Sequence, residues 1–590
     1  MKSFFKSFFA ALLALMVAGG LAFFLFFGLL AAIGSSGKPT VPGKAVLVFD
    51  LDTSLSDGER DPEPGEALNE ALGGAGGRSL ALPTAIEALD RAAADSRITA
   101  LFLTGNLQGA GPAQLRELRE AIQRFKAKKP VLAYNLGWGK RDYYLAAGAT
   151  TVFMNPFGEM ELNGLASEPM FFGEAFKKYG VEVQVTRVGK YKSAVEPFIT
   201  DRMSEPNREQ VQKLLDDIWS EWKGTVAKDR KKAPSDLQAI ADEKGLVEAE
   251  DAKKLGLVDR IAAYDEVLDE LKKLAGKQSK DKDFPQIFLA TYAGIPGEAK
   301  TGKTRIAVVV AEGEIVDGEG KSSQVGGERL SRELRRLRLD DRIKAVVLRV
   351  NSPGGSASAS ELIQREVILT KKVKPLVVSM GHLAASGGYW ISTYGDRIFA
   401  EPSTITGSIG VFGLLPNVKK LANGHGITWD SVQTAKLANP MTLTRPKNDL
   451  ELARIQGLVD RIYEQFVAKV ADSRKMKKEA VHEIAQGRVW SGQEAVKLGL
   501  VDEIGGLGAA VKYAAERAKA GDDYQVVGPE HEPDAFKEIL KNLGAKPKKL
   551  AKRGPVDALT GGFLHQLELL TSLNDPRGVY ARLPFEIELK

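Results

Sequence analysis

The 590-residue chain contains no cysteine. That excludes disulfides, thiolate nucleophiles and cysteine-bound zinc. Histidine is nearly as scarce, with five in all: His382, His425, His482, His531 and His565. A Ser-His-Asp triad needs one of them beside a serine and an orienting carboxylate, and none has a convincing carboxylate to orient it. An excess of one charge is also lacking. The 82 basic and 76 acidic residues leave a net charge of +6, and no basic stripe interleaved with aromatics marks a nucleic-acid surface. Nucleic acid is not an expected partner, and no cofactor or metal is expected.

One phosphate-loop pattern does occur. GEAKTGKT at 297–304 satisfies G-x-x-x-x-G-K-[ST] to the letter. Such a loop works only when a strand precedes it and a helix N-terminus receives the phosphates. Here a proline-containing loop precedes and the apolar run RIAVVV follows, which reads as a strand. A solvated linker is the expected structure.

What the chain has in plenty is apolar residues, 44%, with 27% charged, the balance of a globular protein. Residues 8–33 carry no charge over 26 positions, more than the roughly 20 that cross a bilayer. Lys2 and Lys6 precede them, so positive-inside logic keeps that end cytoplasmic. The expectation is an uncleaved N-terminal transmembrane signal anchor, since a cleaved signal has a core of only about 7–15 apolar residues. A Ser/Gly/Pro linker follows at 34–43, then KAVLVFDL at 44–51 as a first strand, helical spacing over 79–94, and a strand at 98–103. Alternating patterns of this kind predict an α/β fold.

The second half repeats the first. DSRITALFL at 95–103 resembles DDRIKAVVL at 340–348, an offset of 245. Tyr143, Phe153, Pro156 and Gly164 match Tyr389, Phe399, Pro402 and Gly410 at an offset of 246, and LGLVD at 255–259 recurs verbatim at 498–502. Offsets that drift so little mean a tandem duplication. The expected layout is an anchor at 1–34, a first repeat at 44–275, a linker at 276–303, a second repeat at 304–530 and a tail at 531–590.

Three stretches carry candidate chemistry. In GHLAASGGYW at 381–390, an apolar strand at 375–380 leads to Ser386, and a helix follows among small neighbours. A serine there faces helix N–H groups suited to a developing oxyanion. In RVNSPGGS at 349–356, Gly354 and Gly355 form a turn that can aim backbone donors at an oxygen, and it opens a helix around 361–369. In RVGKYKSAVEPF at 187–198, Lys192 offers a base that works if burial holds the amine neutral. The offset of 246 sets Lys192 against Ala438 and Ser386 against Lys140. Each repeat keeps one half of a Ser/Lys pair, which predicts a site assembled between the two.

The YKSAVEPF, NSPGGS, AASGGYW and TGSIG (406–410) segments resemble the long, duplicated form of the signal peptide peptidase A family, also called protease IV. The resemblance implies a tandem ClpP/crotonase-like domain of stacked strand–strand–helix units. It implies a Ser/Lys dyad, with Ser386 as nucleophile and Lys192 as general base. Gly387, with Gly354 or Gly355, is then an oxyanion donor, and Ser408 holds the lysine amine. It further implies a homotetramer at the cell inner membrane, most of the chain periplasmic, acting on hydrophobic peptides such as cleaved signal peptides. Two rival readings are a crotonase-type acyl-CoA enzyme, which would not need Ser386, and a non-catalytic membrane scaffold.

Overall fold

The computed structural model describes residues 40–58, 79–107, 109–297, 302–528, 575 and 578–583, besides the single position Gly20. The expected anchor at 8–33, His531, His565 and most of the tail lie outside the described residues. Among the described residues no helix is long and apolar enough to cross a membrane.

Two mainly parallel sheets form the frame, one per repeat, and they are built alike. The first runs Arg260–Ile261, Thr151–Met154, Val131–Asn135, Ile98–Thr104, Ala45–Asp50, Gln286–Phe288. In the second, Thr304–Glu312 lies between Tyr524–Val527 and Ile343–Ser352, and Leu376–Ala385 follows. Ala45–Asp50 has five of its six residues buried, as a central parallel strand covered on both faces should. The ladder to the next strand slips at Ala45/Val46 in the first sheet and at Arg305/Ile306 in the second. The Tyr143 hydroxyl donates to the Leu257 carbonyl and the Tyr389 hydroxyl to that of Leu500. These are the same bond in the two copies, so the duplication extends to tertiary contacts.

Several boundaries differ from the sequence reading. The helix expected over 79–94 is a short strand, Ser79–Ala81, and then a helix, Leu82–Ala94, with proline in its first turn, where a missing N–H costs nothing. The stretch read as a linker supplies the Gln286–Phe288 strand at the edge of the first sheet. Thr304 opens a strand, so no helix follows the phosphate-loop pattern.

A third sheet joins the repeats. Its order is Gln324–Gly326, Glu314–Val316, Gly354–Ser356, Val579–Arg582, Val411–Asn417, Glu182–Val188. The last of these strands belongs to the first repeat. With Thr304–Glu312, Glu314–Val316 and the helix Gly327–Leu339, the second repeat shows the expected strand–strand–helix unit.

From the strand Ile343–Ser352, Arg349 reaches across the repeat boundary. Its guanidinium is buried and lies 2.5 Å from both the Asp57 and the Glu117 carboxylates of the first repeat. Burial raises the Glu117 pKa while Arg349 opposes the rise. The Leu507 N–H, at 2.7 Å, satisfies the second Glu117 oxygen. Taking two charges out of water is repaid only by such complete pairing. Arg349→Ala is expected to lower unfolding stability by about 3–5 kcal/mol, because two buried carboxylates lose their cation. Denaturant titration checks this; a loss below about 1 kcal/mol, the worth of an exposed pair, would show the cluster to be solvated.

Candidate active site

Ser386 sits where the strand Leu376–Ala385 meets the helix Gly387–Ser392. The strand runs five residues beyond the end expected at Met380, so His382 lies within it rather than in a loop. Ser386 is fully buried, with φ 55° and ψ −112°. A non-glycine residue in so sparse a region stores on the order of 1–3 kcal/mol, and such strain clusters at functional sites. The surroundings impose it: the Ser386 N–H donates to the Gly407 carbonyl at 2.8 Å, and the Trp390 N–H returns to the Ser386 carbonyl at 2.7 Å.

Lys192 enters from the first repeat, at the start of the short 3₁₀ turn Ser193–Val195. Its side chain is fully buried. The amine nitrogen lies 2.8 Å from Ser386 Oγ, 2.9 Å from Ser408 Oγ and 3.2 Å from the Ser408 carbonyl. Burial drives its pKa well below the ordinary lysine value, and the Arg582 guanidinium adds to the effect. Among the described residues no carboxylate pairs with it. Glu196, four residues on, is taken up by Ser204 and Asn207. Ser408 holds its place through a left-handed φ of 52° and a 2.7 Å bond from its N–H to the Arg488 carbonyl.

The lysine segment is tied to both repeats. The Gln210 side-chain amide donates to the Tyr191 carbonyl at 3.0 Å and to Ser193 Oγ at 3.1 Å, and its oxygen accepts from the Val489 N–H of the second repeat at 3.2 Å. The Tyr191 N–H donates to the Gln486 carbonyl at 3.0 Å. Gly487, at φ +79°, lies so close that an added Cβ would stand 2.6 Å from Lys192 Cβ and 2.7 Å from its backbone nitrogen.

Gly354 and Gly355 are not the open turn that the sequence suggested. They form the strand Gly354–Ser356, and Ser356 caps the helix Ala357–Lys371, which is longer than the 361–369 expected. Across that strand, antiparallel, runs Val579–Arg582 from the tail. The Leu583 N–H donates to the Pro353 carbonyl at 2.7 Å. Alternate pairs of an antiparallel ladder exchange hydrogen bonds, so Gly355 and Ala581 are the next bonded pair. A Cβ on Gly354, whose φ is +94°, would stand 2.2 Å from the Ala581 carbonyl oxygen and 2.6 Å from the Gly387 nitrogen. The three glycines expected as donors thus surround one carbonyl oxygen, and the chain itself supplies it.

Among the described residues no histidine joins the site. His382 packs against Gly111, its Nδ1 has no partner, and burial pushes its pKa down to about 4. Among the described residues none of the three placed histidines bonds to Ser386. No cluster able to hold a metal ion occurs among the described residues.

The family model for peptidase family S49 matches residues 123–278 and again 368–521. Lys192 lies in the first match, Ser386 and Ser408 in the second. The chain belongs to peptidase family S49. This S49 chain is 34% identical to Protease 4 of Salmonella typhi over 578 residues, 94% of this chain and 92% of the relative. It is 34% identical to Protease 4 of Haemophilus influenzae over 585 residues, covering 95% and 94%. It is also 34% identical to the chloroplastic serine protease SPPA of Arabidopsis thaliana over 448 residues, 74% of this chain and 66% of that one. A solved ClpP1 mutant from Listeria monocytogenes aligns with 35% of this chain and 94% of its own, at 17% identity and a TM-score of 0.24. As an S49 member of the long, duplicated signal peptide peptidase A form, the chain is a serine peptidase.

Sequence reasoning missed three parts of this S49 site. Gln210 sits on the helix Glu205–Arg230 and reads as one more polar helix position. Gly487 follows no motif, and the strand Val579–Arg582 is too short for its alternation to stand out. Gly487→Ala is expected to displace Lys192 by a fraction of an ångström or more and to lower kcat by a factor on the order of 10². Steady-state kinetics with a peptide substrate check this; an unchanged kcat would mean that the lysine's position is set elsewhere.

Proposed function

We propose that this S49 serine peptidase is a membrane-anchored endopeptidase whose Ser386/Lys192 dyad cleaves short hydrophobic peptides, foremost the signal peptides left after protein export. The observation that carries the reading is the 2.8 Å approach of a buried, carboxylate-free lysine amine to Ser386 Oγ. A neutral amine has two hydrogens and one lone pair. The hydrogens match the two Ser408 oxygens, and the lone pair is left for the Ser386 hydroxyl proton.

Lys192 takes that proton as Ser386 Oγ attacks the peptide carbonyl. The oxyanion forms where the Ala581 carbonyl now lies, against the Gly387 and Gly355 N–H groups, which act without reorganisation; the Gly354 N–H is taken by Ser352 Oγ. Lys192 then gives its proton to the departing amine. In the second half a water loses a proton to Lys192, attacks the acyl-enzyme and returns Ser386 to its hydroxyl form. A peptide laid in the groove as Val579–Arg582 is would be held as an antiparallel strand, a mode that reads main chain first and side chains second. Residues 8–33 serve as the anchor in the cell inner membrane, with the bulk of the chain periplasmic and the assembly a homotetramer.

The pH dependence follows from the depressed lysine pKa. Activity rises with pH as Lys192 loses its proton, then levels off. Between the folded and unfolded pKa values the native state binds fewer protons, so stability also rises with pH across that window. Lys192→Met is expected to cut kcat/KM by roughly 10²–10⁴ and to raise Tm at neutral pH. That gain fades as pH approaches about 10.4. A pH-independent rate for the native enzyme would rule out a lysine base. A fluorophosphonate should label Ser386 and fail on Ser386→Ala; equal labelling of both would favour the acyl-CoA reading.

The groove reading has its own test. A chain ending after Asp575 is expected to show a lower KM for added peptide than the full chain, because no tethered strand competes. An unchanged KM would mean that substrate uses another groove.

A further inference from the structure

On the groove reading above, the strand Val579–Arg582 stands in for a substrate. The Ala581 carbonyl lies among the three glycines, so the bond that follows it, to Arg582, stands where a cleaved bond would stand. Arg582 then marks the position just after the cut, and its surroundings show what that position asks of a peptide.

Three strands meet there in register. Gly354 lies directly opposite Arg582 in the antiparallel ladder. On the other side of Gly354, the parallel pairing of Ile315 with Gly355 sets Glu314 beside Gly354. Directly opposed side chains share one face of a sheet, and the middle residue of this row is a glycine. With no side chain between them, Glu314 and Arg582 reach each other across Gly354. Arg582 Nε stands 3.1 Å from Glu314 Oε1, and the two side chains are only 12% and 14% exposed. The strand Val411–Asn417 flanks the far side, where Phe412 faces Tyr580 and Gly413 faces Val579. The same register brings Gly410 beside Arg582. A Cβ on Gly410 would stand 3.2 Å from Lys192 Cδ, so this row of positions faces the lysine of the dyad.

Glu314 has little to satisfy it apart from the strand in the groove. Its Oε1 is buried and accepts no hydrogen bond from any described residue. Its one ion pair among the described residues is with Arg582. A largely buried carboxylate without a cation bears its desolvation cost unrelieved. A peptide that displaced Arg582 with an apolar residue would leave Glu314 in that state, whereas a guanidinium or an ammonium would restore the pair.

We propose that Glu314 is a specificity-determining residue, selecting an arginine or a lysine immediately after the cleaved bond. Glu314 can act in this way only if substrate lies in the groove of Val579–Arg582, so the preference rests on that reading. The class of peptide it defines is an apolar run closed by a basic residue, as Val579, Tyr580, Ala581 and Arg582 are. A cation at this place also opposes protonation of Lys192, as the Arg582 guanidinium does. A basic residue therefore works with the dyad rather than against it.

Peptides that copy residues 579–583 between constant flanks, and vary only the position of Arg582, test this on the full-length, detergent-solubilised enzyme. Arginine, citrulline (the same shape without the charge), leucine and glutamate are compared, with the cut before the varied residue confirmed by mass. Competition from the chain's own strand lowers kcat/KM for every peptide by one factor, so the ratios between peptides are unaffected by it. The native enzyme is expected to favour arginine over citrulline by about tenfold or more, the low end for a close, desolvated charge pair. Glu314→Gln is expected to bring that ratio near one, and Glu314→Lys to favour glutamate over arginine. A native ratio near one would overturn the preference outright, whatever the variants do. If Glu314 only anchors the chain's own strand, Glu314→Gln raises kcat/KM for all four peptides alike and leaves their ratios in place. That result would sink the specificity role and leave the groove standing. Rates and ratios both unmoved by Glu314→Gln would mean that substrate never meets Glu314, and the groove reading would fall with the preference.

Discussion

Everything at this site depends on one costly arrangement, a lysine amine taken out of water with no anion among the described residues to meet it. Burial of that kind favours the neutral form, and in the proposed mechanism the amine, 2.8 Å from the Ser386 hydroxyl, is the base. The protein supplies only hydroxyl and carbonyl oxygens around the nitrogen, two of them from Ser408. The nearby carboxylate of Glu196 is occupied by its own ring of donors. Had that carboxylate reached Lys192, it would favour the charged amine and oppose the proposed role as base.

Holding such an arrangement requires that the two repeats not slide. Three devices at different depths prevent it. The Arg349–Asp57–Glu117 cluster fixes the boundary electrostatically, and the directional fork of the guanidinium fixes it geometrically. An apolar cluster of Leu214, Ile218, Ala385, Ile405, Val489 and Leu583 packs the helix Glu205–Arg230 against the residue that precedes Ser386. The shared sheet then carries Glu182–Val188 into the second repeat, a few residues before Lys192. The strained backbone of Ser386 persists because hydrogen bonds on both sides over-determine it.

Much of this was legible in the chain. Alternating apolar runs announced the α/β class, and constant offsets announced the duplication. The exchange of Lys192 for Ala438 and of Ser386 for Lys140 pointed to a composite site. Other parts were illegible for identifiable reasons. Gly354 and Gly355 read as a turn because Pro-Gly-Gly favours one, but neighbouring strands on both sides override that local preference. His382, four residues before Ser386, reads as part of the same loop, but it lies within the strand Leu376–Ala385, where the Asn351 and Asp57 side chains crowd Gly381. The strand Val579–Arg582 gave no signal, since four residues are too few for periodicity to emerge.

By itself the sequence determined the class of fold, the twofold repeat, and which serine and which lysine the two repeats bring side by side. These are properties of local pattern and of self-similarity, and both survive without coordinates. Tertiary structure alone decided that the lysine is dry and, among the described residues, free of carboxylates, that the serine backbone is strained, and that the strand Val579–Arg582 lies among the glycines. Each of those depends on which groups far apart in sequence meet in space, and no local pattern encodes such meetings.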